Sequence, residues 1–308
     1  MYIHDYSEGY ACRFQDEIQS QYFDVNKVSL HVTILYRHSN AEVDGVQSTE
    51  EEPAICKEHL FVISDDVTQD HDSVLHIQKL ISKHLEESNC TIKKMHEFTD
   101  GCAGQYKSRH CYGDLSLATL GYTVQQNYFA TSHAKGEQDA AGSHVKQKAT
   151  SAVLSRTVTL SNAKDLCNSL KENFSEPAVS SFPARQKSVQ LKRRVFFYLP
   201  SSGELSVAHN RDGGRFCTVK GIPQLHSVRT CSEQLKVFTR ERSCYCHGCI
   251  VKNFDSCENM EWVGNWKEIF LSGKPSGVMS RTMVDASTIE HSVQVADLAT
   301  KDYCGCGS

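Results

Sequence analysis

Three aspartates and four cysteines carry the chemistry open to this sequence. Asp100 closes the extended run Thr91–Thr99, TIKKMHEFT, and a small-residue turn, Gly101-Cys102-Ala103-Gly104, follows it. A strand that ends on a carboxylate and turns through glycines sets that carboxylate at the carboxyl edge of a sheet, where open α/β sheets hold ligands. Alone, Asp100 reads equally as the cap of the next helix. Asp5, at the end of MYIHD, and Asp139, at the end of HAKGEQD, sit in comparable settings. Three carboxylates suit two Mg²⁺ or Mn²⁺ ions, hard cations that take oxygen ligands. Such ions, ~3.5–4 Å apart, stabilise the attacking and leaving oxygens of a phosphodiester. Glu137 competes with Asp139 for the third place. His133, Lys135, Lys107 and Arg109 are candidates for phosphate or nucleic-acid contact. A polar loop stays open as the reading for His133, and a solvated helix face for Lys107 and Arg109.

The cysteines read differently. Cys244, Cys246, Cys249 and Cys257 follow the spacing Cys-x-Cys-x₂-Cys-x₇-Cys. Four soft ligands this close together can close a tetrahedral Zn²⁺ site, with His247 and Cys231 as spare ligands. A cluster of buried free thiols is the competing reading.

The 308 residues suffice for one large or two ordinary domains. With a net charge of −4, nothing global points to nucleic acid, so any basic surface must be local. No apolar run approaches the ~20 residues of a membrane helix, so no membrane partner is expected. Met1 is not followed by a basic segment and an apolar core, so no signal peptide is read. The fourteen cysteines then read as reduced thiols or metal ligands of an intracellular protein, nuclear or cytoplasmic.

Periodicity supplies the elements that must position these residues. Strands are expected over MYIHD, Val28–Arg37, His59–Ser64, Thr91–Thr99 and Val124–Ser132, with Tyr6–Tyr10 turning through Gly9. Helices are expected over Phe14–Phe23, Ser73–Leu85, Arg109–Leu120, Ala140–Leu154 and Ser161–Phe174. Ser39–Pro53 reads as a solvated loop. Asp65 and Asp66 read as turn or capping residues. The succession gives an α/β protein with a mixed five-stranded sheet, and it resembles the ribonuclease H-like fold, which implies a central first strand beside the fourth. The expected organisation is a catalytic-type domain over 1–175, a linker over 176–191, a small β-rich domain with the cysteines over 192–271 and a flexible tail over 272–308. Lys192-Arg193-Arg194 is a short basic run that can serve DNA contact, nuclear import or an exposed strand start.

HDYSEGY with FQDEIQSQYF, HLFVISDD, TDGCAGQYKSR, NYFATSHAKGEQDAAG, SCYCHGC and CENMEWVGNW together resemble a little-characterised group of animal proteins derived from DNA transposons. The resemblance spans roughly Tyr2 to Leu271. It implies a ribonuclease H-like transposase or integrase-type domain with Asp5, Asp100 and Asp139 as catalytic acids, then a cysteine-rich module. It also implies DNA as substrate, metal-dependent hydrolysis or strand transfer, and a possible homo-oligomer. The last motif departs from the family's glycines and proline at Ala134, Glu137, Ala140 and Ala141. That departure, and the four residues before Asp5, also fit a domesticated or inactive binding module. Such a short lead implies a frayed first strand, weak metal binding and little strand transfer unless the chain is extended upstream.

Overall fold

Strand periodicity sets the centre of the molecule. The computed structural model describes residues 1–12, 26–118, 121–130, 136–177, 189–209, 216–251 and 253–271. β1 (Tyr2–Cys12), β2 (Asn26–His38) and β3 (Ile55–Ser64) are rich in β-branched and aromatic residues and pair antiparallel in sequence order. A single helical turn, α1 (Ala41–Asp44), lies between β2 and β3. After β3 the period changes to that of a helix. α2 (His71–Glu87) starts at Asp70, whose carboxylate accepts from Ser73 N, and buries Val74, Ile77, Leu80, Ile81 and Leu85. β4 (Lys94–Thr99) then lies parallel to β1, α3 (Arg109–Leu117) crosses over, and β5 (Thr123–Tyr128) lies parallel to β4. α4 (Glu137–Leu154) and α5 (Ala163–Phe174) follow. The remainder is β6 (Leu191–Leu199), β7 (Ser227–Thr230), β8 (Lys236–Arg240), the one-turn helices α6 (His247–Ile250) and α7 (Met260–Val263), and β9 (Lys267–Phe270).

These strands form one mixed sheet in the order β6-β3-β2-β1-β4-β5-β7-β8-β9. The central five take the expected order, with β1 beside β4. The sheet is larger than the five strands expected. β6 adds parallel to β3 at one edge, and β7, β8 and β9 add antiparallel beyond β5 at the other. The C-terminal strands therefore build no sheet of their own. Val228, Val237 and Leu271 share one core with Val74, Ile77 and Leu85 of α2. On the other face, α4 and α5 bury Val145, Ala149, Leu166 and Leu170 against Leu30, Val32, Ile34 and Phe196.

Three local differences have physical causes. β1 does not turn at Gly9: it runs on to Cys12 with a bulge between Ser7 and Tyr10. Its start is tied down, since Met1 N donates to Tyr36 O at 2.9 Å and Tyr36 N donates back to Met1 O at 2.8 Å. Asp5 thus sits in a strand paired on both sides, not on a fraying end. Second, the expected loop after β2 carries a buried ionic knot. Arg37 holds Asp44 at 2.6 and 3.0 Å and Glu58 at 2.6 Å, His84 meets Glu58 at 2.8 Å, and Arg193 joins both carboxylates. Third, Arg194 lies 3.9 Å from the Phe174 ring centroid and donates to the Phe174 and Glu176 carbonyls. The Lys192-Arg193-Arg194 run is therefore spent pinning β6 to the body. The helix expected over Phe14–Phe23, most of the linker and the tail lie outside the described residues. Among the described residues, no helix is long and apolar enough to cross a membrane.

Candidate active site and metal centre

β1 and β4 pair at only two register positions, Tyr2↔Glu97 and Ile3↔Phe98. Carried on by two residues, that register sets Asp100 alongside Asp5 on one sheet face, about one strand spacing of ~4.8 Å away. The seam is locked from the opposite face. His4 Nε2 lies 2.6 Å from Glu97 Oε1, both side chains fully buried, and Gln78 donates to the same oxygen at 2.6 Å. α4 brings the third acid. At Gly142 the helix lies so close to β1 that a Cβ would meet Ser7 Oγ at 2.7 Å and Val32 Cγ2 at 3.3 Å. Asp139, one turn earlier on the same flank of α4, is carried toward Asp5 by that approach. Burial raises the Asp5 pKa to about 6, and the charges of Asp100 and Asp139 add to the rise. The Tyr6 N–H, which donates to Asp5 Oδ1 at 2.8 Å, and the neighbouring His4 oppose it.

Asp100 and Asp139 also have structural duties. Asp100 Oδ1 accepts from Cys102 N at 2.8 Å, in a turn that needs Gly101 at φ +77°. Asp139, exposed, accepts from Gly136 N at 2.9 Å through Oδ2 and so caps α4. The triad is not a tight cage: it is absent from the groups whose ligand atoms all lie within 4.8 Å of one another. Two ions ~3.5–4 Å apart, each with oxygen ligands at ~2.1 Å, spread their carboxylates more widely than that.

The remaining candidates divide. Glu137 is taken up elsewhere: it meets His59 Nε2 at 3.1 Å and Lys57 Nζ at 2.7 Å, and accepts from Tyr36 OH at 2.7 Å. Those bonds, His59 foremost, hold its pKa near about 2. Lys107 does not line an open channel. It is 8% exposed, donates to Pro223 O at 2.9 Å and lies 4.9 Å over the Tyr128 ring. Burial lowers its pKa. Arg109 begins α3, whose buried Tyr112 and Leu115 belong to the core on the far side of the sheet from α4, and its guanidinium reaches Thr218 Oγ1 at 3.4 Å. His133 and Lys135 lie outside the described residues. Asp65 caps α5 by accepting from Ala163 N at 2.7 Å.

Sequence reasoning missed His209, which bridges Asp66 at 2.6 Å and Asp70 at 2.8 Å. It also missed two further ligand-type groups, Asp70 with Asp72 and His209, and His71 with Asp72 and Asp114. The readable signal there is the Asp70-His71-Asp72 triplet at a helix start; nothing in the spacing announces His209.

The four cysteines do come together. Cys257 Sγ lies 3.7 Å from Cys244 Sγ and 3.9 Å from Cys246 Sγ, and all four are free thiols. A tetrahedron with ~2.3 Å metal–sulfur bonds has edges of ~3.8 Å. Arg240 is the residue that sequence could not place. It is 1% exposed, with Nη1 at 3.7 Å from Cys249 Sγ and 3.9 Å from Cys257 Sγ. No described carboxylate pairs with it. Among the described residues, a buried guanidinium beside four neutral thiols has no counter-charge, whereas metal-bound thiolates would supply one. The Cys246 thiol is already lowered to about 7, first by the Cys249 backbone N–H. Lys94 fastens this module to β4, donating to the Cys249 and Ile250 carbonyls at 3.1 Å each. Cys231 lies apart, its thiol directed at the Glu233 and Lys236 carbonyls.

The fold and site thus define an α/β protein with a large mixed sheet flanked by helices and a four-cysteine cluster near the C-terminus. The chain belongs to the DUF8701 family, a domain of unknown function, which matches residues 1–240. That span contains all three acids and stops short of the cysteine cluster. No curated protein and no solved structure matches the chain significantly.

Proposed function

We propose that the chain is a transposase- or integrase-type enzyme with a ribonuclease H-like core, acting on DNA phosphodiesters through two Mg²⁺ or Mn²⁺ ions held by Asp5, Asp100 and Asp139. One observation carries this reading: the half-buried Asp5 carboxyl feels the charges of Asp100 and Asp139, and its pKa is pushed to about 6. Two divalent cations would relieve that repulsion and would polarise a phosphodiester set between the acids. Water or a DNA 3′-hydroxyl is then the nucleophile, and no serine or cysteine is needed. The β3-β2-β1-β4-β5 order of the central strands supports the same core, as does the transposon resemblance of the motifs around each acid. In the second centre Zn²⁺ serves structure, closed by four cysteines with no position left for substrate. A nuclear location follows from the substrate.

A second reading, a domesticated binding module without activity, is favoured by the exposure of Asp139 and its capping bond. Incubation with an end-labelled DNA duplex and Mn²⁺ separates the two. Mn²⁺-dependent nicking or joining, absent in Asp100→Asn, is expected for the enzyme. DNA binding with no strand scission at any Mn²⁺ concentration selects the module.

A further inference from the structure

Alternation along β4 puts His96, Phe98 and Asp100 on one sheet face. Register does the same at its neighbour: Thr99 pairs with Tyr128, and Phe129 N donates to Thr99 O at 2.9 Å, so Phe129 stands beside Asp100. The cysteine module contributes a third ring. Tyr245 packs on Phe98 with centroids 5.6 Å apart and on His96 at 6.0 Å, while Phe98 meets Phe129 at 5.8 Å. These rings form a continuous aromatic ledge that ends at the acids. None of the three belongs to a hydrophobic core of the molecule. Tyr245 is 41% exposed, and Phe98 and Phe129 are half-buried. Three neighbouring aromatic side chains outside the described cores, two on the sheet beside Asp100 and one on the cysteine module, are placed to offer π-faces to whatever the acids act upon.

We propose that Tyr245, Phe98 and Phe129 form a stacking platform for unpaired nucleotide bases flanking the phosphodiester at Asp5 and Asp100. The proposal rests on the phosphodiester reading of those acids. Bases have π-faces whatever their sequence, so such a platform binds single strands with little sequence preference. It holds frayed or single-stranded DNA more tightly than blunt duplex. It also gives the cysteine module a role at the site: zinc fixes the loop that carries Tyr245.

The test is fluorescence anisotropy of the full chain with a labelled single-stranded oligonucleotide, in Ca²⁺ and again in chelator, against a blunt duplex of the same sequence. The wild type is expected to prefer the single strand. Tyr245→Leu and Phe129→Leu should each weaken it about tenfold, the size of a lost base–aromatic stack, with little effect on the duplex. Tyr245→Trp should restore binding. A 2-aminopurine in the oligonucleotide should be quenched by wild type and not by Tyr245→Leu. The Mn²⁺-induced shift in melting temperature, read on the same variants, reports the acids separately and should be unchanged. Equal single-strand affinity in wild type and both leucine variants overturns the platform even where the Mn²⁺ shift is intact. A platform that survives while wild type shows no Mn²⁺ shift removes the metal reading and leaves base stacking standing. Loss of binding to both DNA forms alike, unrescued by Tyr245→Trp, also overturns it.

Discussion

At the scale of single residues, the acids oppose the stability of the fold that holds them. The native Asp5 pKa of about 6 lies above its ordinary 3.8. Between those values the native state binds more protons than the unfolded state, so this residue's contribution falls as pH rises and is fully lost above about 6. Asp5→Asn removes the penalty. Urea unfolding in chelator should therefore find the variant more stable than wild type at pH 7.5 by about 1–2 kcal/mol, a two-unit shift discounted for partial solvent exposure. The two proteins should converge near pH 3.5, and a variant less stable at both pH values would contradict the crowding of the acids. Arg240 makes the opposite case, a cation whose partner is the cysteine centre. Arg240→Met should weaken zinc retention about tenfold against a chromogenic chelator, as loss of an outer-sphere partner does; unchanged retention would mean that the guanidinium serves packing alone.

At the scale of elements, the site depends on how closely α4 approaches β1. Gly142→Ala puts a methyl against Ser7 and should cost about 1–3 kcal/mol in thermal or urea melts. It should also lower the Asp5 pKa by moving Asp139 away, which carboxyl NMR titration would follow. Ser7→Ala should rescue it only in part, because Ser7 Cβ itself lies at 3.0 Å. The cysteine cluster is the second joint. Purified protein should hold about one Zn²⁺ per chain, lost in Cys246→Ser, with a lower melting temperature as the module and the neighbouring β8–β9 edge loosen. A metal-free protein with an unchanged melt would show the cysteines to be ordinary core. Much at this scale was legible in the chain. The alternation of VSLHVTILYR and the helical period of α2 mark their elements because packing repeats with the backbone. Joints between elements were not. Gly142 is an unremarkable residue in a helix until the strand beneath it is known, and Lys107 is a surface lysine until Pro223 O and the Tyr128 ring enclose it.

At the scale of the whole molecule, the described strands before and after residue 176 pair in one sheet. A change in composition near residue 176 suggests a boundary, but strand pairing ignores composition: β6 finds the open edge of β3, and β7 that of β5. The consequence is mechanical. Asp100 directly follows a strand that is bonded to β1 on one side and carries the cysteine module on its acid face, so Asp100 and the cysteine cluster are both anchored to β4. Asp5, Asp100 and Asp139 stand out in the sequence because each closes or follows a strand at a motif. The electrostatic strain among them does not, since it depends on burial that no spacing encodes. Calorimetric titration of zinc-loaded protein with Mn²⁺ at pH 6, in wild type and in Asp100→Asn, tests their joint role most directly. Wild type should bind Mn²⁺, rise in melting temperature and release protons from Asp5 on binding, while Asp100→Asn should bind at least tenfold more weakly with no rise. Mn²⁺ binding and proton release in Asp100→Asn equal to wild type would contradict a metal site built from these three acids.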